Sequence, residues 1–141
     1  MAETTTELAR RWFEDVWNRR SDETVRELLH QEGVGHLEGA DVVGPDQFLR
    51  GRAALLDAFP DLRVSIDGSV SEGSDVVVRW SATGTHRGDG LGLPASMRRT
   101  SFRGMTWMHF ENGRIVEGWD SWNLGKLLQE LGAPAGQAGA V

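Results

Sequence analysis

The hydrophobic period of this chain changes once, at Pro60-Asp61, and that change limits the folds open to it. A period of 3.6 buries one stripe of a helix, whereas a period of two buries one face of a sheet. Before Pro60, Leu8, Trp12, Phe13, Val16 and Trp17 fall at helical spacing and predict a helix from Thr4 to Arg20. The threonine run supplies its N-cap and Glu7 an acid in its first turn. Ser21-Asp22 breaks that helix and caps a second one, Glu23 to His30. Gly33 to Gly44 reads as a glycine-rich loop, and Pro45 suits the first turn of a third helix running to about Phe59. After Asp61 the alternation begins with Leu62, Val64 and Ile66, then continues over Val76 to His86, Arg98 to Phe110 and Arg114 to Trp122. Arg87 to Met97 is a glycine-rich loop, and Asn112-Gly113 between two alternating runs is a hairpin signal. Leu124 to Leu131 forms a last helical turn or two.

Helices first and hairpin-linked strands afterwards make an α+β order. The expected architecture is a cone-shaped α+β barrel, with N-terminal helices packed on a curved, mostly antiparallel sheet. The wide end of such a cone is a natural small-molecule pocket. Residues 1–132 are expected to form one domain, and 133–141, made largely of Ala and Gly with one Pro and one Gln, a mobile tail.

Composition removes several functions. A net charge of −6 disfavours nucleic acid as a partner. No apolar run reaches membrane-spanning length, and the first twenty residues hold no apolar signal segment. The chain has no cysteine, which excludes disulfides and thiolate chemistry and fits a reducing cytoplasm. It has six Trp and no Tyr, so apolar walls are plentiful and no phenol can serve as an acid. Lys126 is the one lysine, on an expected surface helix.

The residues able to do chemistry gather at strand ends. Trp119-Asp120-Ser121-Trp122-Asn123 puts two indoles, a carboxylate and a carboxamide into five residues. By strict alternation Ile115, Glu117, Trp119, Ser121 and Asn123 share one face of the strand, and Val116, Gly118, Asp120 and Trp122 share the other. Asp120 and Asn123 then oppose each other unless a bulge intervenes. His86 closes a strand on the face of Val78, Trp80 and Ala82, and reads either as a proton carrier or as a cap on a loop carbonyl. His36, flanked by glycines, is either a ligand contact or an exposed loop histidine. His30 and His109 read as surface positions. No histidine spacing suits a metal, the glycines after His86 do not open a helix as a phosphate loop does, and no Gly-x-Ser-x-Gly elbow exists.

Three stretches resemble the SnoaL-like polyketide cyclase family of the nuclear transport factor 2-like superfold. They are Phe13 to Asn18, Thr83 to Gly88 with Pro94 after it, and Gly113 to Trp119 followed by Leu127 to Gly132. The resemblance implies a cone-shaped α+β fold, an apolar pocket, frequent homodimers through the sheet, and ring closure of polyketides by intramolecular aldol chemistry, as in antibiotic biosynthesis, without metal or cofactor. It also implies a carboxylate base at the end of the last strand. The position here that looks like that base is Asn123, and a carboxamide takes up no proton at neutral pH.

The expectation is therefore a cyclase or isomerase acting on an apolar, carbonyl-bearing molecule. His86 or Asp120 would carry the proton, Asn123 would orient the substrate, and Trp17, Trp80, Trp119 and His36 would contact it. The alternatives are a non-catalytic, dimeric binder of a hydrophobic ligand, and an epoxide-hydrolase-like enzyme. Arg103 and Asp120 would supply two parts of the Asp-Arg-Asp set used by such hydrolases.

Overall fold

The computed structural model describes residues 3–133. Helix α1 (Thr5–Arg11) starts in a capping box, in which Thr4 Oγ1 accepts the Glu7 N–H at 3.1 Å and Glu7 accepts the Thr4 N–H at 3.2 Å. It then widens into a π-helical segment, Trp12–Asn18, so the uniform helix expected from Thr4 to Arg20 is not what forms. The wider turn has a use. Trp12 and Trp17 are five residues apart and would diverge on an α-helix, whereas a π turn brings them to one side. Both pack on Phe48, with ring centroids 5.0 and 5.9 Å apart.

Helix α2 (Asp22–Leu28), capped by Ser21, ends two residues earlier than expected. Leu29 is already extended and opens strand β1 (Leu29–Leu37), which turns at Gly39 into β2 (Ala40–Val43). The segment read as a loop, 33–44, is thus mainly a hairpin. A Cβ at Gly33 would come within 2.8 Å of the Ile115 carbonyl oxygen and 2.9 Å of Leu29 Cδ1, so glycine there lets β1 approach the last strand. Helix α3 (Gly44–Ala58) follows with Pro45 in its first turn, as expected.

Strands β3 (Arg63–Glu72), β4 (Asp75–Thr85), β5 (Arg99–Glu111) and β6 (Arg114–Trp122) pair antiparallel in sequence order. Asn112 and Gly113 both have positive φ, 52° and 77°, as a two-residue hairpin turn requires. Parallel pairing of β1 with β6 completes a six-stranded sheet ordered β2-β1-β6-β5-β4-β3 among the described residues. The sheet curves without closing, because β2 and β3 remain edges, and α4 (Leu124–Glu130) follows β6. Of the expected tail, only Ala133 falls within the described residues.

One face of the sheet carries the core. Val64, Val76, Val78, Ala82, Met108 and Phe110 pack there against Phe13, Val16, Val25 and Phe59 of the helical layer, all below a tenth exposed. Between the two layers lies a cavity of about 290 Å³.

Candidate active site

A register shift at the start of β6 decides which side chains reach this cavity. Ile115 pairs with Phe110 and Glu117 with His109, so Val116 is the extra residue of a bulge. Ile115, Gly118, Asp120 and Trp122 line the cavity, while Trp119 and Ser121 face outward and are exposed. The strict alternation expected for this strand therefore fails at its first turn and holds afterwards.

Asp120 is the acid at the centre of the site. Its Oδ1 accepts the Thr106 hydroxyl at 2.6 Å, directly across the β5–β6 ladder. Thr106 Oγ1 in turn accepts the Trp80 indole N–H at 3.0 Å, so a buried relay runs over three strands. Desolvation by the apolar walls pushes the Asp120 carboxyl up to about 6. The Thr106 hydrogen bond opposes that shift and the nearby Glu38 charge adds to it.

Glu38 comes from the β1–β2 turn, where Gly39 has φ 86°. Its Oε1 accepts the Trp122 N–H at 3.0 Å, which ties the turn to the end of β6. Arg52 enters from α3, buried to within 8% of full enclosure. It donates to the Val16 carbonyl at 3.1 Å and pairs with Asp22. Glu38, Arg52 and Asp120 are the charged residues lining the cavity among those described, and the remaining wall is almost wholly apolar.

Indoles and phenyl rings shape that wall. Trp12 and Trp17 cover it from the π-helical segment, and Trp80, Phe102 and Trp122 cover it from the sheet. Phe102 stacks on Trp122 at 5.1 Å and Trp80 meets Trp122 edge-on at 6.3 Å. Gly104 makes this possible: a Cβ there would come within 2.6 Å of Trp122 Cβ and 2.8 Å of Trp80 Cζ2.

The structure brings together three of the residues singled out in the sequence, Asp120, Trp17 and Trp80. It sets four others apart from the lining. Asn123 is the N-cap of α4, with its Oδ1 accepting the Lys126 N–H at 2.8 Å. Asn123 also borders a polar cleft beside Arg103 and Lys126, on the outer side of β5. Arg103 and Asp120 thus lie on opposite faces, and the pairing considered for an epoxide hydrolase is not formed. His36 and Trp119 belong to the outer face too, stacked at 5.6 Å. His36 Nε2 lies 2.8 Å from Glu117 and Nδ1 lies 3.1 Å from Asp41, and these two carboxylates, Glu117 first, raise the His36 pKa above its ordinary value.

His86 is wholly buried but lies off the lining. Its Nδ1 accepts the Ser96 N–H at 3.1 Å, with Ser96 Oγ at 2.8 Å, which puts the proton of a neutral ring on Nε2. His86 N–H donates to the Arg98 carbonyl and its carbonyl accepts the Met97 N–H, both at 2.9 Å. It therefore pins the loop between β4 and β5, and Leu91 of that loop reaches the cavity.

Sequence reasoning missed Thr106, Arg52 and Glu38. Thr106 was legible in the alternation of β5, on the face of Phe102, Met108 and Phe110. Arg52 was legible at helical spacing between Phe48 and Leu55. Glu38 left no local signal, because its place depends on the parallel pairing of β1 with β6.

No curated protein sequence matches this chain. Among solved structures, a candidate SnoaL-like polyketide cyclase from Jannaschia sp. CCS1 is 23% identical, with a TM-score of 0.85, covering 95% of this chain and 99% of that one. IdmH from Streptomyces antibioticus, a candidate polyketide cyclase, is 25% identical at a TM-score of 0.80, covering 93% and 100%. AclR from Streptomyces galilaeus, a candidate hydroxylase, is 27% identical at 0.79, covering 92% and 97%. These structures share the nuclear transport factor 2-like fold seen here. The family model for SnoaL-like polyketide cyclases matches residues 7–131, and the chain belongs to that family.

Proposed function

We propose that this protein closes or isomerises an apolar, carbonyl-bearing molecule of polyketide type, using Asp120 as the base and no cofactor. The observation that carries the reading is a carboxyl raised to about 6 inside an apolar cavity. A base with a pKa near 6 is about nine-tenths ionised at pH 7, yet takes up a proton more readily than an exposed aspartate. Asp120 removes a proton from the carbon beside a carbonyl, leaving an enolate. In a cyclase that carbon attacks a second carbonyl of the same molecule, one C–C bond forms, and the proton returns to the new alkoxide. Thr106 holds the carboxylate in place, while Trp17, Trp80 and Trp122 supply flat walls for a ring system.

The same reading has the protein working in the cytoplasm as a homodimer. The absence of cysteine suits a reducing compartment. A row of outward residues, Val77, Trp107 and Trp119, runs in register across three strands and offers an apolar strip for the partner.

The test is deuterium uptake beside the carbonyl of 2-tetralone in deuterium oxide, followed by NMR. The wild type should speed exchange, and Asp120→Asn should lose roughly a hundredfold to ten-thousandfold of that rate, the usual worth of a general base. Full exchange in the variant would remove Asp120 from the role. Tight binding with no exchange in the wild type would leave a ligand carrier.

A further inference from the structure

Glu38 is the second carboxylate of the cavity, and the reaction sketched above does not use it. Three observations fix its place. Gly39 turns the β1–β2 hairpin so that Glu38 reaches the cavity. The Trp122 N–H holds one of its oxygens at 3.0 Å. The parallel pairing of β1 with β6 sets His36 opposite Trp119, which brings Glu38 alongside the segment that carries Asp120 and Trp122. The groups facing Asp120 are then Glu38 from this turn, Arg52 from α3, and the neutral Thr106 and Trp80 from the sheet. Arg52 is already engaged by Asp22 and the Val16 carbonyl, so Glu38 is the unneutralised charge among them.

We infer that Glu38 is a positioning residue for proton transfer: anchored on the Trp122 amide, it holds a negative charge beside Asp120 and so strengthens Asp120 as a base. Two carboxylates in one apolar enclosure resist being ionised together, so a fixed one strengthens the other as a base. Nearby Glu38 charge acts on Asp120 in this direction. The inference rests on the proposed role of Asp120, but its test does not need activity.

The experiment follows the Asp120 side-chain carboxyl by carbon-13 NMR from about pH 4 to about pH 8, a span that covers its displaced titration. Glu38→Gln keeps an oxygen for the Trp122 N–H and removes the charge. Its midpoint should fall by about half a pH unit, short of the ~1 unit at which two sites titrate as one coupled pair. Glu38→Asp keeps the charge and shortens the anchor, and its midpoint should stay near that of the wild type. In the exchange assay the same shift raises the Glu38→Gln rate at pH 5, relative to its plateau, by about two- to threefold over wild type. An unmoved midpoint in Glu38→Gln overturns the inference. A midpoint lowered equally in Glu38→Asp also overturns it, because lost anchoring and not lost charge would then be the cause. An Asp120→Asn variant with full exchange would instead overturn the base assignment and leave this charge effect intact.

Discussion

Replacing Asp120 by Asn should make the protein more stable as it abolishes proton transfer. The carboxyl moves from 3.8 to about 6 on folding, because the cavity walls strip water from its charged form. That is about two pH units, and at 1.36 kcal/mol per unit the charged group costs the folded state about 3 kcal/mol at neutral pH. The residue is only half-buried by surface area, although its carboxyl is enclosed, so about 3 is an upper limit and about 1–3 kcal/mol is expected. Asparagine has nearly the same shape, and its carbonyl oxygen can still accept the Thr106 hydroxyl.

The pH dependence separates this account from a packing effect. Between about 3.8 and about 6 the native state binds more protons than the unfolded chain, so stability falls as pH rises through that window. The penalty is complete above the folded-state value and absent below the unfolded one. Urea unfolding at pH 7.5 should favour Asp120→Asn by about 1–3 kcal/mol, or about 3–10 °C in Tm, and at pH 4 that advantage should shrink to about 0.6 kcal/mol or less. A variant no more stable at pH 7.5, or equally favoured at both pH values, would refute the reasoning. Asp120 would then sit in water, and no desolvated base would exist.

Three further outcomes follow from where side chains sit. Asn123→Ala should cost about 1 kcal/mol in urea unfolding through loss of the α4 cap, while exchange activity stays unchanged. Asn123→Asp should keep the cap and gain no activity. On the outer face, Trp107 and Trp119 are 48% and 38% exposed with centroids 5.4 Å apart, so Trp107→Arg should turn a homodimer into a monomer in sedimentation velocity while leaving the cavity relay intact. A wild type that sediments as a monomer at micromolar concentration would remove the dimer.

What the sequence allowed and what it hid divide along the range of the interactions. Strands β4, β5 and β6 were legible almost residue by residue, because each buries one face and alternation reports that directly. The β1–β2 hairpin was hidden because its glycines, Gly33, Gly35 and Gly39, erase the alternation that marks a strand. Gly33 is needed by a distant partner, since a side chain there would strike the carbonyl of Ile115. Glu38 vanished from view with the hairpin. Asn123, the position that resembles the family's base, lies off the cavity lining for a local reason. Asn123 stands after the last residue of β6 and before the first of α4, so two rules compete for it. As the end of a strand it can point into a pocket. As the residue before Leu124-Gly125-Lys126-Leu127 it is a favoured N-cap, and its oxygen takes the Lys126 N–H that a helix start leaves unpaired. The cap prevails because strand pairing stops at Trp122, opposite Gly104, and nothing holds position 123 in the sheet. Asp120 sits two residues inside the paired region, where the ladder to Thr106 fixes its direction. Asp120 is consequently the carboxylate that the sheet aims into the cavity, and the amide three residues later belongs to the helix.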